Sequence, residues 1–473
     1  MTQNPSAATG DAPARRWWTL GVVCAATFML LLDVTIVVVA LPDIQRHLDA
    51  TLGQVQWVTD AYALSLAALL LTAGVLADRF GRRLLFLIGL AIFTAGSVLC
   101  AAAQDPVMLI VSRAAQGVGG AVLFSTALAI LAATFHGRER SIAFGIWGAI
   151  TGVSTALGPI LGGLLTSGVN WRAVFWVNLP IGVVAFVVAR RQLAETRAPH
   201  ARRPDWWGFA TLTTGLVSLV YGLIRASEEG WGDSLVIACL AAAAVLIVSF
   251  GLVERIVPHP MFDLGLLRIP TFVGGSVAAF AMNGSLFAML IYLTIYLQNA
   301  LGYSALQAGV RLLLMSGLAM VAATIAGRAS AHVPVRLLVG PGLLLVGVGL
   351  LTMSGLGTDS SWTHLAPGLV LGGIGTGMVN PPLASTAVGV VHHHQAGMAS
   401  GANTTFRQVG IAVGVAAYGS ILGSSTGHDP ATASPEAFVD GLNRLFVASG
   451  SVALVGGLAA LALIRQRDFA TQH

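Results

Sequence analysis

The sequence predicts an all-α polytopic membrane protein, on three observations. Of 473 residues, 56% are hydrophobic and only 10% charged, with a mean hydropathy of +0.81, whereas soluble domains carry about 25% charged residues. The apolar residues fall into runs of about 20, enough to cross a bilayer at about 1.5 Å per residue. The charges between the runs are distributed one-sidedly. A soluble enzyme, a secreted scaffold and a disordered tail are excluded, because so few charges cannot coat a water-facing surface.

The runs are 17–40, 55–77, 84–103, 106–134, 141–165, 172–189, 206–226, 234–253, 271–297, 305–327, 336–355, 365–388, 401–423 and 444–464. Fourteen spans put both termini on one side. All 25 basic residues are Arg. With the N-terminus inside, eighteen of them fall in inner segments, four outside (Arg46, Arg172, Arg225, Arg444) and three within helices (Arg113, Arg311, Arg407). That excess is the positive-inside signature of a cytoplasmic face, and Trp17, Trp18, Trp57, Trp171, Trp206 and Trp231 near helix ends form the interfacial aromatic belt. The outer loops are acidic instead, with Glu228, Glu229 and Asp233.

Arg15-Arg16-Trp17-Trp18 has the form of a twin-arginine export signal. The apolar run after it is too long, lacks a small-residue cleavage site and carries Asp33, so it reads as a first spanning helix with a basic anchor. The net charge of +5 is not gathered into a patch, and no nucleic-acid partner is expected. Cys24, Cys100 and Cys239 lie in apolar runs and read as small buried hydrophobes.

The Arg- and Pro-rich connection 190–205 divides six helices from the rest, and a second boundary falls near 253–270. The expected organisation is a six-helix bundle over 1–205, two inserted helices over 206–253, and a second six-helix bundle with an inner tail over 254–473. The second helix of each bundle ends at a Gly followed by a basic inner loop (Gly74 to Arg83, and Gly327, Arg328 to Arg336). Paired repeats of this kind are the usual build of secondary transporters.

An ionisable group at membrane depth costs at least about 2.5–3.5 kcal/mol on insertion scales and marks function by default. Asp33 lies about 12 Å along its helix from Leu41, and Arg113 about 10 Å in from Pro106, by the helical rise. The two sit at similar depth, within reach directly or through water. One reading is a static pair that fixes packing. The other is a proton site, switched by any movement that withdraws the Arg or admits water. Asp60, one turn inside the outer end, reads either as a rim residue or as a second proton or cation site. Arg311 and Arg407 are explained equally by snorkelling and by function.

Gly148, Gly152, Gly158, Gly162 and Gly163 form small-xxx-small spacings that allow close helix contact, and Pro159 removes a backbone donor and bends its helix. His392-His393-His394 is not expected to hold a metal, because adjacent side chains diverge and no acidic or Cys ligand is near. No Ser/His/Asp order, metal spacing or phosphate loop points to an enzyme or an ATP-driven pump.

Four segments carry a family resemblance. Gly74-Val75-Leu76-Ala77-Asp78-Arg79-Phe80-Gly81-Arg82-Arg83 resembles the loop joining the second and third helices of the major facilitator superfamily. Leu31-Leu32-Asp33-Val34-Thr35 through Ala40-Leu41-Pro42 resembles the first-helix signature of its fourteen-helix drug:proton antiporters. Arg113-Ala114-Ala115-Gln116-Gly117 through Gly119-Gly120-Ala121 resembles their fourth-helix motif. Gly152 through Gly158-Pro159 to Gly162-Gly163 resembles the antiporter motif of helix five, followed by Trp171-Arg172 and Asn178-Leu179-Pro180. The segment Asn403-Thr404-Thr405-Phe406-Arg407-Gln408 is also similar to a family segment.

The resemblance implies a major facilitator fold and a multi-pass protein of a bacterial cytoplasmic membrane. It further implies proton-driven export of small amphipathic drugs or antibiotics, with Asp33, Arg113 and Asp60 coupling the proton. Gly74, Asp78, Arg79, Gly81, Arg82 and Arg83 would form a conformational latch, and the helix-five glycines a hinge and seal. No cofactor is expected beyond the proton, and the carrier is expected to act as a monomer in the lipid bilayer. Asn283, Phe287, Tyr292, Gln298, Asn380, Asn403 and Arg407 are the candidate substrate cavity. The final bundle is expected to hold no carboxylate within a helix, so neutral, monocationic or anionic substrates are expected over dications. The alternatives are an uptake carrier for a small metabolite on the same fold, and a lipid-handling protein or receptor without coupling.

Overall fold

The computed structural model of the chain describes residues 13–135, 137–196, 205–258, 260, 262–330, 332–391, 396–426 and 434–469. Among them there are helices and turns and no strand. The first group of helices is α1 (Pro13–Leu48), α2 (Leu52–Phe80), α3 (Arg82–Ala101), α4 (Pro106–Thr134), α5 (Gly137–Gly168), α6 (Ala173–Trp176) and α7 (Asn178–Gln192). A hairpin of α8 (Trp206–Glu229) and α9 (Ser234–Ile256) follows. The second group is α10 (Pro270–Met282), α11 (Ala288–Ile295), α12 (Ala305–Ala329), α13 (Arg336–Thr352), α14 (Ala366–Val388), α15 (Ala396–Thr426) and α16 (Pro435–Leu463).

A helix thus stands at each of the fourteen apolar runs, the sixth being α6 with α7 and the ninth α10 with α11. Ten of the described helices are long and apolar enough to cross a membrane, and the bent α5 makes an eleventh. α13 is equally apolar but has 17 residues.

Local sequence sets the helix ends. At the arginine-poor outer end, Thr51 and Ser304 open α2 and α12 with capping boxes closed by Gln54 and Gln307. Asp105 caps α4 by accepting from the Met108 amide, with Pro106 in the first turn. Asp233 caps α9 and accepts from Arg225 Nε at 3.0 Å; that guanidinium holds its carboxyl below the usual carboxylate range. At the inner end Arg15 Nε donates to the Gln192 carbonyl, tying the start of α1 to the end of α7.

Three boundaries differ from the sequence expectation. α1 runs through Pro42 to Leu48, beyond the apolar run, into a last turn that carries Arg46 and His47. The ninth rod is not a plain α-helix: π-turns at Asn283–Phe287 and Tyr296–Ala300 flank α11. α16 starts at Pro435, nine residues before the apolar run, because Ser434 caps it. Glu436 and Asp440 therefore lie within a helix of the final group, contrary to the expectation of none. Both are exposed, in the first two turns at the outer end.

Helices α1–α7 pack on one another, as do α10–α16, and the two groups meet along α5 with α12 and α2 with α15. The α8–α9 hairpin rests on α2 and α15. α9 leaves Leu235, Ile237, Val245, Val248 and Leu252 exposed on a largely unburied helix. So wide an apolar face is stable in lipid and not in water.

Candidate functional site: a sealed carboxylate network and a one-sided seam

Asp33 and Arg113 meet directly. Arg113 Nη1 donates to Asp33 Oδ2 at 2.5 Å, and the Arg113 and Asp33 side chains are 2% and 0% exposed. Asp33 Oδ1 accepts from Gln116 Nε2 and from Asn178 Nδ2, both at 2.9 Å. Both amides also donate to Ser97 Oγ, at 2.7 and 3.2 Å. The guanidinium is held from three further sides. Nη1 also donates to Gln116 Oε1, Nε donates to the Val58 carbonyl at 3.0 Å, and the group lies 4.3 Å from the Tyr62 ring centroid.

Helices α1, α2, α3, α4 and α7 all contribute to this network, and glycines bring them close enough to do so. A Cβ on Gly96 would stand 2.9 Å from the Gln116 Cα, and one on Gly117 2.6 Å from the Tyr62 carbonyl. Sequence reading places Asp33 and Arg113 correctly. It marks Gln116 and Asn178 only as members of motifs, and gives Ser97 no signal, since a serine in an apolar helix usually bonds its own backbone.

Asp60 is also fully buried, which removes the rim-residue reading. Among the described residues neither of its oxygens has a hydrogen-bond partner. One turn away, Gln56 Nε2 donates to Tyr292 Oη at 3.2 Å across the seam between the two groups, and Tyr292 donates to the Val415 carbonyl. Asp60 is near enough to Tyr292 for the two to interact electrostatically. It is therefore a seam residue.

The seam is closed at the outer end. Gln298 Nε2 donates to the Val39 carbonyl at 2.8 Å, and the Leu306 amide to Ser167 Oγ at 3.1 Å. The helix-five glycines divide by depth. Cβ atoms on Gly158 and Gly162 would collide with Thr35 and Ile36 of α1, and one on Gly163 would stand 2.6 Å from the Leu306 Cα of α12. Gly309 of α12 abuts the Pro159 carbonyl in the same way. Deeper in, Gly148 and Gly152 on α5 and Gly317 on α12 have no described atom within 4 Å of where a Cβ would be. Gly148 and Gly152 are thus not the close contacts their spacing suggests. α5 and α12 therefore touch at the outer end, while these deeper glycines meet no described atom.

The inner loop after α2 is organised by a residue sequence reading misses. The Glu195 carboxylate accepts from the Arg83 and Leu84 amides at 3.1 and 3.2 Å, capping α3. Gly81 has φ +122, and a Cβ there would stand 2.5 Å from Glu195 Oε1. Arg83 Nη2 donates to the Arg190 carbonyl at 2.6 Å, and the Arg82 amide to the Thr196 carbonyl at 3.0 Å. A Cβ on Gly74 would stand 4.0 Å from the Ser125 Cβ of α4, and Arg79 lies against Phe80. Asp78 lies in α2, with its side chain outside the described residues. The signal for Glu195 was available, as an acid among the arginines of the 190–205 connection.

The proposed cavity residues do not form one group. Tyr292 and Gln298 are seam bonds. Asn283 spends its amide on the Ala279 carbonyl of its own helix, and Phe287 packs into the core. Asn380, Asn403 and Arg407 do come together: Arg407 Nη1 donates to Asn380 Oδ1 at 3.0 Å and Nε to Asn403 Oδ1 at 3.4 Å. Arg311 stays near the outer surface, 3.7 Å from the Tyr303 ring centroid. A separate cavity of about 260 Å³ opens between α2, α4 and α8, lined by Trp57, Leu64, Ile110 and Leu216 among others, and includes none of the candidates. His392–His394 lie outside the described residues.

Two helical groups meeting at a seam closed at one end, with a buried charge network in one of them, define a membrane carrier. The family model of the Major Facilitator Superfamily matches residues 23–415, and the chain belongs to that superfamily. It is 37% identical over 444 residues to the puromycin resistance protein of Streptomyces alboniger, covering 92% of this chain and 88% of that one. It is 38% identical over 415 residues to the tetracenomycin C resistance and export protein of Streptomyces glaucescens, covering 87% and 77%. A bacterial homologue of the human lysosomal transporter Spinster, solved in an inward-facing, unoccupied conformation, superposes with a TM-score of 0.66 at 17% identity. That match covers 98% of this chain and 100% of the other, and shows the shared fold.

Proposed function

We propose that the chain is a proton-coupled antiporter that exports small amphipathic drugs or antibiotics across a bacterial cytoplasmic membrane. All fourteen rods cross the bilayer, both termini are cytoplasmic, and the bundles 1–205 and 254–473 rock about their seam with 206–253 as an inserted pair. The carrier works as a monomer in lipid, and the proton is its only coupling ion. The relatives named for resistance and export support the direction of transport. The observation that carries the coupling is the fully buried Asp33–Arg113 pair.

A buried pair is commonly no more stable than a well-packed apolar replacement, so stability alone is a poor reason for this one. Protonating Asp33 cancels its charge and leaves Gln116, Asn178 and Arg113 to find new partners. α1 also carries the seam contact of Val39 with Gln298 and the contacts of Thr35 and Ile36 with α5 of its own group, so rearrangement at Asp33 reaches both. Asp60 supports the same cycle. Closing the outer seam over a carboxylate with no paired oxygen would bury a bare charge at a cost of several kcal/mol; taking a proton from outside first removes that cost. One charge moved through 100 mV supplies about 2.3 kcal/mol, against about 1.4 kcal/mol for each tenfold solute gradient.

Neutral, monocationic and anionic substrates are favoured over dications, since Glu436 and Asp440 sit at the outer surface, away from the depth of Asn380 and Arg407. The test is drug-driven proton movement in everted vesicles. Asp33→Asn should abolish it while drug binding persists, and Asp60→Asn should slow it. Unchanged proton flux in Asp33→Asn would remove the mechanism.

A further inference from the structure

The group formed by Arg407, Asn403 and Asn380 has no role in the coupling just described, and its chemistry is incomplete. Arg407 stands eleven residues into α15, about 16 Å from its inner end by the helical rise. Its guanidinium is held by two amide oxygens, Asn380 Oδ1 and Asn403 Oδ1, and by no carboxylate among the described residues. Every described acidic residue from position 254 onward lies at or near a helix end or in a loop: Glu254, Asp263, Asp359, Glu436, Asp440 and Asp468. Asn403 is 5% exposed, and its Nδ2 has no hydrogen-bond partner among the described residues. A half-buried cation and a buried, unused amide donor therefore stand side by side, with both acceptor oxygens already spent on the guanidinium.

Arg407 is part-exposed on its face of α15, whereas Asn403 Nδ2 is covered in this conformation. Gly410 and Gly414 press on α10 and the adjoining π-turn, at Phe280 and Gly284. Thr405 donates to the Ala67 carbonyl of α2, and Gly419 abuts Gln56 of α2. At about 100° per residue, the sector between these two contacts holds Arg407, Gln408 and Ile411. Gln408 and Arg407 are part-exposed there. This sector borders the seam that Thr405 makes with α2.

We infer that Arg407 and Asn403 Nδ2 form a subsite for a single anionic group on the substrate, a carboxylate, sulfonate or phenolate carried on an apolar aromatic body. Two planar donors side by side suit an oxyanion with two acceptor oxygens. Asn380 acts as a positioning residue that holds the guanidinium fork in register. The inference rests on the export reading for its setting and sharpens the substrate class from several charge types to one. The anion also supplies the countercharge that the bundle lacks, so occupancy would lower the cost of closing the inner end around Arg407.

The experiment compares two fluorescent probes that differ by one charged group, N-phenylnaphthylamine and its sulfonate, anilinonaphthalene sulfonate. Both are titrated into the full chain in nanodiscs of zwitterionic lipid, with empty nanodiscs subtracted. The parent should bind the sulfonate at least about tenfold more tightly than the neutral amine, as a charge-assisted bond supplies. Arg407→Gln should abolish that ratio and leave the affinity for the amine unchanged. Arg407→Lys should keep part of it, and Asn403→Leu should reduce it. Thermal melting identifies a misfolded variant, and Arg407→Lys then carries the comparison. Equal binding of the two probes by the parent, or a sulfonate preference that survives in Arg407→Gln, overturns the subsite. Proton movement with either probe is read separately in proteoliposomes: its absence counts against the antiport cycle, and the binding ratio still decides the subsite.

Discussion

Arg113 Nη1 lies 2.5 Å from Asp33 Oδ2 in a site that admits almost no solvent to either side chain. Four neutral groups complete it: Gln116, Asn178, Ser97 and the Val58 carbonyl. A charge pair so enclosed is stable only while both charges are present or both are absent. Asp33→Asn should therefore lower thermal stability more than a neutral swap suggests, by about 3–5 kcal/mol, because Arg113 is left buried and uncompensated. Asp33→Asn with Arg113→Gln should recover most of that loss. Melting of the purified single and double variants checks it; strictly additive losses would mean that the two groups do not act as a pair.

The Gly81–Glu195 contact makes a second expectation. Gly81 has a backbone conformation that L side chains rarely adopt, and its missing Cβ makes room for the carboxylate that caps α3. Gly81→Ala should destabilise the inner loop through both effects. Glu195→Ala should open the loop by removing the cap alone, costing about 0.5–2 kcal/mol. Faster tryptic cleavage at Arg79, Arg82 and Arg83 in inside-out membranes is the readout. In Gly81→Ala with Glu195→Ala the collision is gone and the backbone strain remains, so cleavage should stay fast.

Much of this was legible in the chain. Scarce charge and run length give the helices, and the arginine distribution marks the inner end, because both follow from the cost of polar groups in hydrocarbon. Asp33 and Arg113 announce themselves for the same reason. What sequence cannot convey is who faces whom across the bundle. Asp60, by its distance to the helix end, reads either as a rim residue or as a second proton or cation site, yet it is fully buried, one turn from the Gln56–Tyr292 bond across the seam. Tyr292 and Gln298 read as cavity residues from their polarity, yet they close the seam. Helix five shows the limit most clearly, since its glycines follow one spacing but meet α1, α12 or open space according to depth.

That division of helix five yields the last expectation. Gly163 stands against the Leu306 backbone at the closed outer end, where α5 and α12 touch, so Gly163→Val must push the two helices apart. Core overpacking costs about 1–3 kcal/mol, here directed against the outer seam. Gly152 meets no described atom in this conformation, so Gly152→Val should leave the melting temperature nearly unchanged. Its side chain would instead obstruct the state in which the inner halves of α5 and α12 approach each other. Gly163→Val should then expose a cysteine placed at Leu306 to labelling from outside, whereas Gly152→Val should slow export turnover without raising that labelling. Loss of stability in Gly152→Val equal to that of Gly163→Val would show that the inner halves are already in contact, and the one-sided opening would have to be abandoned.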